Sequence, residues 1–151
     1  MEQVLELKYE HFSSHEMLPA EDLELIHVAQ QASQKAHAPY SNFHVGAAAR
    51  LLSGEIISAA NCESEVFPSG MCAERSLLYY HQTNHADDPI LSFAIASSPN
   101  QRECTPCGGC RQALLDAERR QQRPIRIIMS SDTTATVVDS AEILLPFSFR
   151  L

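Results

Sequence analysis

The sequence predicts a mixed α/β fold, a three-layer α/β/α sandwich around a five-stranded mixed sheet, from three observations. Strand-like and helix-like segments alternate through most of the chain. A helix and then a β-hairpin precede that alternation, so antiparallel and parallel pairing share one sheet. The chain has 151 residues, 44% of them apolar and 20% charged, which suits one ordinary domain and not two.

Each element has a local cause. Residues 1–18 show no clear period and are read as an N-terminal extension to a single domain at 19–151. From Ala20 to His37, Leu25, Ile26, Ala29, Ala32 and Ala36 recur at helical spacing. Glu21 and Asp22 stand in the first turn and Lys35 near the end, as the helix dipole favours. Ala38-Pro39-Tyr40-Ser41 stops this helix. Phe43 to Leu52 and Glu55 to Ala60 then flank Ser53-Gly54, a two-residue hairpin connection. A polar loop, Asn61 to Gly70, leads to a helix from Met71 to about His81, rich in Ala, Glu, Arg and Leu. Ile90 to Ser98 is a short apolar run between Pro89 and Pro99, a buried strand. Cys107 to Gln121 forms a helix after Pro106. Ile125 to Ser130 and the β-branched Thr134 to Val138 supply the last two strands, and Ser140 caps a short helix that ends at Pro146.

Charge and cysteine content narrow the function. With 19 acidic residues against 11 basic ones the net charge is −8, and such a surface repels a phosphate backbone. A small solute is the expected partner, not a nucleic acid. No apolar run approaches the roughly 20 residues that span a bilayer, and the first residues lack a secretion pattern, so a soluble cytoplasmic protein is expected. Cys62, Cys72, Cys104, Cys107 and Cys110 make an odd set, expected to be thiols rather than disulfides.

Cys107-Gly-Gly-Cys110, after Pro106, puts two sulfurs on one face of a helix start, close enough to share a metal ion. By itself the pair also fits a redox motif. Cys72-Ala73-Glu74, at the start of another helix, adds a third sulfur. Three thiolates on Zn²⁺ leave the fourth tetrahedral position open to water, as in catalytic rather than structural sites. Glu74, two residues from Cys72 on the same turn, is then placed to shuttle protons. This pattern resembles that of the zinc-dependent deaminases, in which a His or Cys ligand precedes the glutamate and P-C-x-x-C follows. The thiolates and Glu74 leave the site negative, so Arg75 and Arg111, which adjoin the ligand motifs, and the two helix N-termini are expected to balance it. Cys62 and Cys104 are read as bystanders. The pairs His81/His85 and His11/His15 are not read as metal sites.

Five ordered blocks carry a wider resemblance: Pro39-Tyr-Ser-Asn-Phe-His-Val-Gly-Ala-Ala48, Asn61-Cys-Glu63, Phe67-Pro-Ser-Gly-Met-Cys-Ala-Glu-Arg75, Pro106-Cys-Gly-Gly-Cys-Arg-Gln112 and Leu144-Leu-Pro-Phe-Ser-Phe149. From about Ala36 to Phe149 the chain resembles the small homotetrameric cytidine deaminases. The resemblance implies one Zn²⁺ per chain on Cys72, Cys107 and Cys110, and hydrolysis of cytidine or deoxycytidine to the uridine product and ammonia in pyrimidine salvage. It implies that Glu74 protonates N3 of the pyrimidine, promotes attack of water on C4 and returns a proton to the departing ammonia. The Ala73 backbone would hold the pyrimidine carbonyl, Phe43 pack on the base, and Asn61 with Glu63 bind the ribose hydroxyl. Phe149 would reach a neighbouring subunit's site, which implies a homotetramer.

The chain departs from the family at Ser64, where an Asn is usual, at Phe67, where many members carry Tyr, and at Ala59-Ala60, where a Gly often stands. These changes spare the metal ligands and Glu74 and bear on sugar preference. Two alternatives stay open at the level of sequence: a same-fold deaminase of another amino-heterocycle nucleoside, blasticidin-type, and a non-catalytic zinc or redox module.

Overall fold

The computed structural model describes residues 1–151. Its core is divided by the sheet, and the division follows the two-residue period of the strands. Helix α1 (Ala20–Ser33) covers one face and helices α2 (Ala73–Asn84) and α3 (Gly108–Gln121) cover the other. Between them run β1 (Glu10–Phe12), β2 (His44–Leu51), β3 (Ile56–Ala60), β4 (Ile90–Ser98), β5 (Arg126–Ser130) and β6 (Ala135–Val138). Ala48, Ala94, Ala96 and Ile128 face Leu25, Ile26 and Ala29 of α1. Their neighbours Ala47, Ala49, Phe93, Ile95, Ile127 and Met129 face Leu77 and Leu78 of α2 and Leu114 and Leu115 of α3. Burial on both faces explains why β2 and β4 read as continuous apolar runs rather than alternating ones.

The sheet has the order β1-β6-β5-β4-β2-β3, with β4 and β5 parallel and every other pair antiparallel. The three-layer mixed sandwich is as the sequence predicts, but the sheet has six strands where five are expected. The additional strand comes from the N-terminal extension, as Glu10, His11 and Phe12 pair with Val137, Thr136 and Ala135. So short an edge strand is specified by the free backbone edge of its partner, not by a pattern of its own. The first helix is also shorter than its period suggests, ending at Ser33 with Gln34 as cap. The segment after Ser140 closes as a 3-10 turn, Ala141–Leu144, with the Ser140 hydroxyl accepting from the Glu142 N–H.

Two features of this frame set up the site. Helix α1 lies so close to β2 that a Cβ on Gly46 would stand 1.9 Å from the Ala29 carbonyl oxygen and 2.5 Å from the Ser33 nitrogen. No residue but glycine fits there. On the opposite face, α2 and α3 lie against each other and start from neighbouring points, each capped by a cysteine, Cys72 and Cys107.

Candidate active site

Cys72 and Cys107 have extended backbones, with ψ of 152° and 169°, and neither side chain makes a capping hydrogen bond. Both sulfurs are therefore free to turn toward a ligand shared at the helix N-termini. Cys110, one turn into α3, is fully buried beneath them. The Sγ atoms of Cys72 and Cys107 are 4.0 Å apart, those of Cys107 and Cys110 are 3.4 Å apart, and all three lie within 4.8 Å of one another. A tetrahedral zinc with bonds of about 2.3 Å holds its sulfurs about 3.8 Å apart. The three thiols thus fit a zinc ion with little rearrangement, and all five cysteines are free.

Arg75, one turn after Cys72, donates from Nη2 to the Cys72 sulfur at 3.5 Å. The guanidinium lies beside the start of α3, where a Cβ on Gly109 would stand 3.9 Å from its central carbon, an ordinary contact distance. Hydrogen bonding from Cys110, and then the Arg75 guanidinium, pull the Cys72 thiol down to about 5. Cys110, which donates toward that thiolate and is buried, is held far above the ordinary thiol range. The cluster is thus biased toward thiolate where the cation and the helix N-terminus converge.

Glu74 is 4% exposed. Burial, reinforced by the neighbouring Cys72 charge, pushes its carboxyl up to about 7. A carboxyl so tuned both accepts and releases protons near neutrality. Glu74 opens on a cavity of about 250 Å³, whose walls also include Phe43, Asn61, Ala73, Cys72 and Cys107. Residues from β2, the loop after β3, and the starts of α2 and α3 thereby meet in one place.

Asn61 holds part of that cavity together. Its Oδ1 accepts from the Val45 N–H at 2.7 Å and its Nδ2 donates to the Phe43 carbonyl at 3.0 Å, which leaves one lone pair and one N–H for a ligand. Glu63 lies in an adjoining cavity with Asn61, Cys72 and Arg75, and its Oε1 accepts from the N–H groups of Tyr40 and Ser41 at 3.2 Å. Phe149 is 73% exposed and is not part of the Glu74 cavity, and its carbonyl accepts from Arg119.

Arg111 differs from the sequence expectation. Its Nε donates to the Pro106 carbonyl and its Nη1 to the Leu144 carbonyl, so its hydrogen bonds go to backbone oxygen rather than to sulfur. A side chain that follows Cys110 in sequence leaves the helix at a different angle, and adjacency to a ligand did not predict direction. Cys104, read as a bystander, lines the Glu74 cavity with Ser41, Val45 and Thr105. Burial pushes its thiol up to about 11, so it is neutral at pH 7. Only its nearness to Cys107 in sequence hinted at this placement.

The family model for the cytidine and deoxycytidylate deaminase zinc-binding region matches residues 19–122, a stretch that includes Cys72, Glu74, Cys107 and Cys110. The chain belongs to that family. The matched region is a zinc-binding one, and Cys72, Cys107 and Cys110 form a cluster within it that could hold the ion. Among similar proteins, a probable cytidine deaminase of Dictyostelium discoideum is 38% identical over 93 residues, covering 61% of this chain and 63% of the relative. A cytidine deaminase of Halalkalibacterium halodurans is 36% identical over 92 residues, 61% of this chain and 68% of that one. The chain thus spans about two thirds of the length of these relatives. A crystal structure of cytidine deaminase from Burkholderia pseudomallei superposes with a TM-score of 0.74 at 29% identity, covering 87% of this deaminase-family chain and 100% of that one.

Proposed function

We propose that the protein catalyses hydrolytic deamination of cytidine and deoxycytidine, giving uridine or deoxyuridine and ammonia. The observation that carries this reading is the placement of the buried Glu74 in one cavity with Phe43, Asn61 and two of the three cysteines. Cys72, Cys107 and Cys110 would hold the zinc, which would supply the Lewis acidity for water activation near neutral pH. Glu74 takes one proton from the attacking water and delivers it to N3 of the pyrimidine as the C4–O bond forms, then takes the proton of the new C4 hydroxyl and passes it to the amino group as the C4–N bond breaks. Atoms balance as nucleoside plus water to deaminated nucleoside plus ammonia.

The cavity supports the assignments of Ala73, Phe43 and Asn61, and those of Glu63 and Phe149 follow the family resemblance. The Ala73 N–H, one of the unpaired donors at the start of α2, receives the pyrimidine carbonyl. Phe43 lies against the base. Asn61 and Glu63 bind the sugar hydroxyl through the acceptor and donor capacity that their backbone bonds leave unused. Phe149, exposed in its own chain, completes the site of a neighbouring subunit in a homotetramer. Residues 19–151 act as one catalytic domain with 1–18 as an extension, in pyrimidine salvage in the cytoplasm, a reducing setting that suits five free thiols.

The relatives at 36–38% identity are named cytidine deaminases, which favours cytidine over a blasticidin-type nucleoside. The test is the fall in ultraviolet absorbance when zinc-analysed protein meets cytidine and, separately, deoxycytidine. Turnover with about one zinc per chain supports the reading. Zinc-loaded protein that leaves both nucleosides unchanged overturns it.

A further inference from the structure

Arg111 carries a charge beside the ligand motif that neither bonds to sulfur nor enters the chemistry above. It follows Cys110 directly, yet its guanidinium bridges two carbonyls, Pro106 at 2.9 Å and Leu144 at 3.2 Å. Pro106 is buried and immediately precedes the ligand Cys107. Leu144 ends the last 3-10 turn and leads into the C-terminal segment that carries Phe149. One side chain of α3 therefore joins the ligand turn to the end of the chain.

The ligand turn has little else to hold it on its outer side. Cys107 is exposed, and Gly108 and Gly109 follow it. A Cβ on Gly108 would meet nothing within 4 Å. The direction of the Cys107 sulfur thus depends on the backbone that enters the helix, which is held at the Cys104 N–H by the Ser130 carbonyl, at the Cys107 carbonyl by the Arg111 N–H, and from a side chain at the Pro106 carbonyl by Arg111. A guanidinium suits the task because it presents several N–H donors in a rigid plane, whereas an ammonium is a point charge on a flexible stem.

We propose that Arg111 is a positioning residue for the metal centre: it clamps the Pro106–Cys107 turn to the Leu144 carbonyl and so holds the Cys107 sulfur at metal-binding distance from Cys72 and Cys110. Its charge is not what the centre requires of it. The inference rests on the three-cysteine zinc site and not on the identity of the nucleoside.

The test is the rate at which zinc passes from the loaded protein to a chromophoric chelator, measured without substrate. Arg111→Gln and Arg111→Lys should both release zinc about 10–100-fold faster than the parent, the range in which loss of a group supporting a ligand falls. Arg119→Gln is the control. Arg119 holds the same C-terminal segment through the Phe149 carbonyl and the Ser148 hydroxyl, with no bond to the ligand turn. It should release zinc within about threefold of the parent. Parent-like release from Arg111→Lys would assign the role to charge and overturn the proposal. Fast release from Arg119→Gln would assign it to general loosening of the C-terminus, with the same result. If Arg111→Gln does not fold, Arg111→Lys, which keeps the charge and the stem, decides the matter. Fast release by the Arg111 variants of a protein that leaves cytidine unchanged would retire the substrate reading and retain this one.

Discussion

Glu74 is costly to the fold, and the proposed chemistry needs it. Its folded value of about 7 lies above the ordinary carboxyl value of 4.5 because it is buried. The folded state therefore holds its proton more tightly than the unfolded state does. Its contribution to stability is fully present below about pH 4.5 and is lost as pH rises through about 7. Glu74→Gln removes that loss. In metal-stripped protein, the stability of Glu74→Gln relative to the parent should rise between pH 4 and pH 8 by about 3 kcal/mol, read from urea denaturation at each pH. Comparing the two proteins removes the part of the Cys72 contribution that is independent of Glu74, while the mutual repulsion of the two charges belongs to the difference measured. The same substitution should keep zinc and lose turnover by at least about 100-fold. A flat stability difference across the pH range would show that burial does not tune this carboxyl.

At the scale of elements, the site depends on how closely helices lie on the sheet. Gly46→Ala forces a methyl into the Ala29 carbonyl of α1, backbone that cannot rotate away. Overpacking of this kind typically costs about 1–3 kcal/mol, and a clash with backbone belongs at or beyond the upper end. Thermal denaturation should show a clear fall in Tm, and an unchanged Tm would contradict the packing of α1 on β2. Helix α3 is anchored differently. Glu118, nearly buried, accepts from the N–H groups of Ile125 and Ala141 at 2.8 and 2.7 Å and from the Ser140 hydroxyl at 2.6 Å. It ties α3 to the start of β5 and to the last 3-10 turn. Glu118→Gln keeps the shape but leaves one acceptor oxygen among three donors. The expected loss is about 2–3 kcal/mol, a fall in Tm of roughly 5–10 °C for a chain of this size.

For the whole molecule, the N-terminal extension closes one edge of the sheet. β1 covers the backbone edge of β6, and His11 adds contacts to Thr136 and Glu103. Removal of residues 1–13 should bare that edge, lower stability and raise light scattering on warming. Zinc content should stay near that of the parent, because none of the removed residues lines the cavity or bonds to a ligand. Loss of zinc on truncation would mean that the extension supports the site and not merely the edge.

The sequence alone brought out the three-cysteine cluster, the glutamate beside it that we propose as proton shuttle, and most of the succession of helices and strands. These depend on local spacing: an i, i+3 pair of thiols, a carboxyl two residues from a sulfur at a helix start, a Gly in a two-residue turn, and prolines that end or open elements. Asn61 was legible as a residue near substrate, but its bonds to Val45 and Phe43, which shape the cavity, were not. The tertiary structure alone decided the sixth strand, the neutral thiol of Cys104 in the cavity wall, and the turning of Arg111 from sulfur to the Pro106 and Leu144 carbonyls. Each depends on residues distant in the chain meeting at a particular angle. Spacing places a side chain on an element, while only the packing of elements fixes what lies within its reach.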